Sequence, residues 1–290
     1  MQKIDDSSLL LEKSPITLNC RGRLISLQKP IIMGILNLTP DSFSDGGNYL
    51  LPDKALMHVE KMLQEGASII DIGGYSSRPG ATHISEEEEL KRVLPITEKI
   101  RLQFPEAILS VDTFRLRVAK EMLSMGVHII NDIYAGRYEE GLFELAAQLR
   151  APYIVMHMQG TPQTMQQTTY YQDLLEEIRT FLIERIQAAR QKGVMDVIID
   201  PGFGFGKSIN HNYTLLKNLR LFASLGCPLL VGISRKSFMW KVLGVSPTQT
   251  LAPTSALHLQ ALLQGAKILR VHDVKEAAQI ITIYEQWQVN

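Results

Sequence analysis

KILRVHDV, residues 267–274, decides how this chain folds. Ile268, Leu269 and Val271 suit a parallel strand covered on both faces, whose residues read as an almost unbroken apolar run. Arg270 interrupts that run, and His272 with Asp273 closes it. Arginine is almost never fully buried unless paired, so this strand must end among negative groups. Seven similar runs precede it: IIMGIL (31–36), SIIDI (68–72), AILSV (107–111), VHII (127–130), PYIVM (152–156), DVIID (196–200) and PLLVGI (228–233).

Segments with helical spacing separate the runs. In 173–192 the stripe Leu174, Ile178, Phe181, Leu182, Ile186 and Ala189 lies opposite Glu176, Glu177, Arg179, Glu184 and Arg190, which predicts a helix with one face on a sheet. Ser85 with Glu88 three residues on reads as a capping box, and Glu86–Glu89 as a solvated helix start favoured by the helix dipole. Gly66, Gly126, Gly193 and Gly265 sit where helices end. Eight strand–helix units spread over about 260 residues predict an α/β fold of the (β/α)₈ barrel type. An open doubly wound sheet is the alternative. The segment ITLNCRGRLISL (16–27) alternates around Arg-Gly and predicts a hairpin over the barrel's N-terminal end. Nothing divides the chain, so residues 1–290 are expected to form one domain, with 1–30 as N-terminal extension and hairpin.

Composition narrows the partners. The 290 residues carry 30 basic and 30 acidic side chains, so the footprint of a nucleic-acid binder is missing. Cys20 and Cys227 are far apart and fit neither a disulfide framework nor a zinc knuckle, which points to the cytoplasm. The N-terminus lacks the apolar core of a secretory signal, and residues 242–266 are too polar to span a bilayer. A small-molecule partner is expected, with no nucleic acid and no membrane.

In a (β/α)₈ barrel the site is built at the C-terminal ends of the strands. Following the runs in order gives Asn37, Asp71, Asp112, Asn131 with Asp132, His157, Asp200, then Ser234, Arg235 and Lys236, and finally Arg270 and His272. Asp112, Asp200, Lys236 and Arg270 are the candidates for chemistry, whereas Asp71 and His157 stay open between function and support. The bland reading of Arg270 is a structural pair with Asp273 or Asp71. The last two strands bring the cations, and loops there commonly hold phosphate, which arginine binds bidentately. Asp112, Asn131 and Asp200 offer acceptors to a donor-rich planar heterocycle. A nitrogen heterocycle carrying phosphate is the implied substrate.

PGFGFGKS (201–208) resembles a P-loop but has Pro201 where that motif needs glycine, so an NTPase is not expected. Its glycines let backbone approach a flat ligand, with Phe203 or Phe205 available for stacking. NLTPDSFSDGGN (37–48) reads as a lid in which Asn37 reaches a metal-bound phosphate, and GGYSSRPG (73–80) as a similar loop whose Arg78 can meet a carboxylate.

The blocks MGILNLTPDSFSDGG, SVDT, IINDI, MHMQGTP, DPGFGFGK, GISRKS and RVHDV, in this order, resemble the dihydropteroate synthase family from residue 31 to 285. The resemblance implies a barrel enzyme, usually a homodimer. Such an enzyme joins 4-aminobenzoate to a 6-hydroxymethyl-7,8-dihydropterin pyrophosphate, with Mg²⁺ as cofactor and sulfonamides as competitors. It further implies that Asp112, Asn131, Met156, Asp200, Phe205, Gly232 and Lys236 hold the pterin. Asn37, Arg270 and His272 would hold pyrophosphate, with Asn37 also on the metal. Phe43, Ser77, Arg78 and Ser237 would form the aminobenzoate side. Asp112, Asp200, Lys236 and Arg270 would carry the chemistry, an SN1-like alkyl transfer. A pterin-dependent methyltransferase module and a catalytically silent pterin-binding homologue are the rival readings. The chain departs from the family pattern at Tyr75, where an acid is usual, at Ser77, at Phe114-Arg115 and in LAPTSALHLQ (251–260).

Overall fold

A computed structural model of the chain describes residues 17–39, 51–78, 80–165 and 169–289. Every one of the apolar runs contains a strand. A hairpin of β1 (Thr17–Cys20) and β2 (Arg23–Ser26) comes first. The barrel strands are β3 (Ile31–Asn37), β4 (Ile69–Gly73), β5 (Ile108–Asp112), β6 (Ile129–Asp132), β7 (Tyr153–Met156), β8 (Val197–Asp200), β9 (Leu230–Val231) and β10 (Ile268–Val271). The helices between and after them are α1 (Leu51–Gln64), α2 (Glu86–Gln103), α3 (Leu116–Ser124), α4 (Leu142–Leu149), α5 (Leu174–Gln191), α6 (Ile209–Lys217), α7 (Arg220–Ala223), α8 (Ser237–Leu243), α9 (Leu251–Leu263) and α10 (Val274–Val289).

All barrel pairings are parallel, in the order β8-β7-β6-β5-β4-β3-β10-β9. The seam between β8 and β9 is closed by a bridge from Ile199 to Leu229, with the Ile199 N–H donating to Pro228 O at 3.0 Å. The closed barrel therefore stands and the open sheet does not.

The two-residue period of a strand divides its side chains between two cores. One set, including Ile70, Ile72, Leu109, Val111, Ile130, Val155 and Ile199, packs outward against the helices. The other set points inward, and Met33, Ile69, Ile129, Ile154, Ile198, Leu230 and Ile268 make an apolar floor inside the barrel. Leu18, Cys20 and Leu27 seal that floor from below. The hairpin turns at Arg21 and Gly22, both at positive φ (56° and 98°), as a two-residue turn between twisted strands requires. Arg21 Nη1 donates to Leu123 O at 2.6 Å and Val127 O at 2.8 Å, which pins the hairpin to the end of α3.

Helix signals held with two corrections. Leu174, Ile178, Leu182, Ile186 and Ala189 are the buried face of α5, and Gly66, Gly126, Gly193 and Gly265 have φ between 90° and 103°. Ser85 Oγ caps α2 by accepting the Glu88 N–H, but the Glu88 carboxylate turns to Arg92 Nε at 2.9 Å instead of reaching back, so the box is half made. Glu89 is not solvated: it is fully buried and accepts from Arg115 Nη1 at 2.6 Å.

Candidate active site

Two residues beyond the apolar floor, each strand turns inward again, and the layer changes character. The step runs from Ile69 to Asp71, from Ile129 to Asn131, from Ile154 to Met156, from Ile198 to Asp200, from Leu230 to Gly232 and from Ile268 to Arg270. One more step gives Asn37, Gly73, Asp112 and His272 at the barrel mouth. The polar residues expected just past the strand ends thus include the last ladder positions themselves: Asn37 pairs with Gly73, Gly73 with Asp112, and Asp112 with Asn131.

Arg270 answers the question raised by its own strand. Its Nε donates to Asp71 Oδ2 and its Nη2 to Asp112 Oδ2, both at 2.7 Å. Asp71 Oδ2 also accepts from Asn131 Nδ2 at 2.9 Å, which joins strands β4, β6 and β10 through one buried carboxylate. Of the proposed structural partners, Asp71 is the correct one and Asp273 is not. The side chain is only 18% exposed, and its bonds to the two carboxylates use Nε and Nη2, not Nη1. Burial disfavours its charge, yet Asp71 and Asp112 hold its pKa above the ordinary arginine value.

Asp200 faces Arg270 across Gly232. A Cβ built on that glycine would stand 3.9 Å from both Asp200 Oδ2 and Arg270 Cβ, so the missing side chain opens the space between acid and base. Asp200 Oδ1 accepts the Gly202 N–H at 2.7 Å, and burial raises its carboxyl above the usual range. Burial also pushes Asp112 up to about 7, against the pull of Arg270, and brings Lys236 down to about 8 with Arg270 adding to the effect. Lys236 Nζ lies 4.3 Å over the ring of Phe205, a cation–π contact. Phe205 belongs with Met156 to an apolar cluster on this side of the site, whereas Phe203 is 1% exposed and packs toward Phe238 in the outer core. Of the two phenylalanines, Phe205 is the one available to a ligand.

His272 Nδ1 lies 3.1 Å from Ser234 Oγ, which also accepts the His272 backbone N–H at 3.2 Å. With the serine proton given to Nδ1, Nε2 carries the ring proton. Burial and then Arg270 lower the His272 pKa to about 3, so it acts as a neutral N–H donor and not as a cation.

Several expected residues do not reach the site. Arg235 turns outward and pairs with Asp273, through Nε at 3.0 Å and Nη2 at 2.5 Å. Its backbone is left-handed, with φ of 56°, and its charge reaches the site only as one of the cations that lower the His272 pKa. Asp132 is consumed in a turn, accepting from Tyr134 N, Gly136 N and the Tyr153 hydroxyl. His157 is buried, with Nδ1 2.9 Å from Lys207 Nζ, and Lys207 also donates to Gly202 O and Phe205 O. That lysine therefore ties down the glycine loop bearing Phe205 instead of cradling a phosphate. The clamp is tight: a Cβ on Gly202 would fall 1.8 Å from His157 O.

Ser77 is half-buried and Arg78 exposed in the segment after β4, and the Arg78 charge helps to lower the Lys236 pKa. Ser237 opens α8 beside Lys236. Phe43 lies outside the described residues, as does its loop from residue 40 onward. Asp71 is the member of this layer that residue type alone left undecided; the step of two from Ile69 was the signal that could have placed it. The departures Tyr75, Phe114 and Arg115 come together, with Arg115 5.5 Å from the Tyr75 ring and 5.3 Å from the Phe114 ring.

Residues 33–272 match the family model for pterin binding enzymes. The chain is 46% identical over 267 residues to the dihydropteroate synthase of Escherichia coli K12, covering 91% of this chain and 94% of that one. A Yersinia pestis dihydropteroate synthase solved as a sulfonamide drug complex superposes with a TM-score of 0.89 at 44% identity, covering 95% of this chain and 100% of that one. The Xanthomonas albilineans enzyme with 4-aminobenzoic acid gives a TM-score of 0.89 at 41% identity, covering 96% and 100%. Matched over most of its length in sequence and in fold, the chain belongs to the dihydropteroate synthase family of pterin-binding enzymes.

Proposed function

We propose that this chain is the enzyme that joins 6-hydroxymethyl-7,8-dihydropterin pyrophosphate to 4-aminobenzoate, forming 7,8-dihydropteroate and releasing pyrophosphate. The observation that carries the reading is the convergence of Arg270 with Asp71 and Asp200 in one inward layer and with Asp112 one step above it. A pterin presents amidine-like N–H donors, which Asp200 and Asp112 can accept, with Asn131 beside them and Met156 and Phe205 against the ring. The free side of Arg270 and the Nε2–H of His272 then face the pyrophosphate. A methyltransferase module would have no use for these phosphate donors.

The chemistry follows from the charges. Arg270 stabilises the negative charge that builds on the departing pyrophosphate as the C–O bond breaks. The Asp112 and Asp200 carboxylates stabilise the cationic pterin methylene left behind. Lys236, over Phe205, holds the pterin edge between them. The aniline nitrogen of 4-aminobenzoate, positioned by Ser77, Arg78 and Ser237, attacks the methylene, and no nucleophilic serine or cysteine takes part.

Among the described residues no group of three His, Cys, Asp or Glu side chains could hold a metal. Magnesium fits all the same through few protein oxygens plus substrate phosphates. Asn37 Oδ1 and Asp112 Oδ2 stand 3.7 and 3.8 Å from where a Gly73 Cβ would be, and Asn37 is the ligand we propose. The bound ion would neutralise phosphate charge.

We further propose a homodimer in the cytoplasm. Two buried free thiols suit a reducing compartment, and no described helix is long and apolar enough to cross a membrane. A pyrophosphate-release assay tests the main reading: release is expected only with both substrates and Mg²⁺, and sulfonamides should compete with 4-aminobenzoate. Release without the amine, or none with both, sinks it.

A further inference from the structure

The segment from Gly74 to Ser85 carries Ser77 and Arg78, its described residues have no regular secondary structure, and within it the Ala81 N–H donates to Arg78 O at 3.1 Å. Backbone hydrogen bonding alone does not hold such a stretch, so side chains from elsewhere must place it. At its start Arg92 Nη1 donates to Gly74 O at 3.2 Å. At its end the buried Arg115, neutralised by Glu89, donates from Nη1 to Ser85 O at 3.1 Å and from Nη2 to Ile84 O at 2.5 Å.

The middle is held through Tyr75. Its ring is 7% exposed and packs edge-on to Phe114, with centroids 5.0 Å apart, in the same apolar cluster as Met156 and Phe205. Its hydroxyl accepts from Gln163 Nε2 at 2.8 Å and lies 3.2 Å from His83 Nδ1. Arginine only donates, so the 3.4 Å contact of Arg115 Nη2 with His83 Nε2 makes that nitrogen the acceptor. His83 Nδ1 then bears the proton and donates to Tyr75. The phenol oxygen thus receives two hydrogen bonds, one from within its own segment and one from the segment after β7.

We propose that Tyr75 is a positioning residue for the amine substrate: it ties the segment bearing Ser77 and Arg78 to Gln163 and fixes where that substrate's carboxylate is met. This rests on the aminobenzoate assignment made above. It places a determinant of acceptor affinity on residues that do not touch the pterin.

Steady-state kinetics on Tyr75→Phe, on Gln163→Leu and on the double variant test it, with melting temperatures alongside. Loss of a hydrogen bond of this kind raises KM for 4-aminobenzoate roughly 3- to 10-fold, with KM for the pterin pyrophosphate and kcat within about twofold. The double variant should be no worse than the poorer single, since Gln163→Leu removes a contact that Tyr75→Phe already removes. Gln163 is exposed, so its variant reports even where Tyr75→Phe folds poorly. Unchanged 4-aminobenzoate KM in both singles, or equal rises for both substrates, overturns the proposal. A wild-type chain that releases no pyrophosphate is a separate failure, removing the enzymatic reading and this one with it.

Discussion

Two inward layers of the same barrel, one two-residue step apart, have opposite natures. The lower is Met33, Ile69, Ile129, Ile154, Ile198, Leu230 and Ile268, closed beneath by the hairpin. The upper holds Asp71, Asn131, Asp200 and Arg270 among Met156 and Gly232. The lower layer gains stability from burial with nothing left to pair. The upper one buries charges whose desolvation cost is offset only by close mutual pairing. Asp71 Oδ1 and Ser110 Oγ are buried there with no hydrogen-bond partner among the described residues, the kind of cost found where a barrel serves chemistry. The floor is what allows it: strands held rigidly below can present strained groups above.

The sharpest way to separate the layers is Arg270→Ala. Removing this donor to the leaving group should lower turnover roughly 100- to 1000-fold, as loss of a transition-state charge partner does. It also strips Asp71 and Asp112 of their shared cation. Pyrophosphate release at the wild-type rate would remove Arg270 from the reaction. Asp200→Asn comes next. A charge-assisted acceptor of the pterin becomes neutral, and affinity for the pterin should fall roughly 10- to 100-fold. Calorimetry giving equal affinity would place the pterin elsewhere.

The ionisation of Asp112, one step above that layer, supplies a third test, with stability and activity opposed. Asp112 is raised from the ordinary 3.8 to about 7, chiefly by burial. A raised carboxyl stabilises the fold fully below its unfolded pKa, and that contribution is lost as pH climbs to about 7. The reaction needs the anion, so kcat/KM should rise with pH over the same window, by about tenfold per unit on the acid side. It should fall again as Lys236 loses its proton at about 8. Urea midpoints of the wild type and Asp112→Asn across this range should diverge, the wild type losing ground toward neutral pH. Parallel midpoints would mean that Asp112 is ionised throughout.

The contrast between layers also explains what the sequence disclosed. Apolar runs with β-branched residues located all the barrel strands, because a strand buried on both faces has no alternative composition. The glycines after α1, α3, α5 and α9 located the turns there for the same steric reason. Residue type and position after a run found Asp112, Asn131, Asp200, Lys236 and Arg270. What residue type could not supply was direction. Arg235 and Arg270 look alike in the sequence, but one sits on the inward phase of β10 and the other at a left-handed turn beyond β9, facing Asp273. Glu89 in an acidic run was buried by Arg115, 26 residues away, a contact that no local pattern encodes. Asp71 was readable, but only by counting from the floor.

The smallest expected effect belongs to the floor itself. Ile154 is fully buried between β6 and β8 and lies one inward step below Met156. Ile154→Val removes a methylene without adding a polar group, so it should cost about 1 kcal/mol of stability through lost burial and a small void. The variant keeps the strand, its β-branched shape and its register, and Met156 should stay where it is. Turnover and both KM values should therefore remain within about twofold of wild type while the urea midpoint falls. If turnover instead drops with stability, the floor is transmitting its packing into the polar layer, and the two layers must be treated as one mechanical unit.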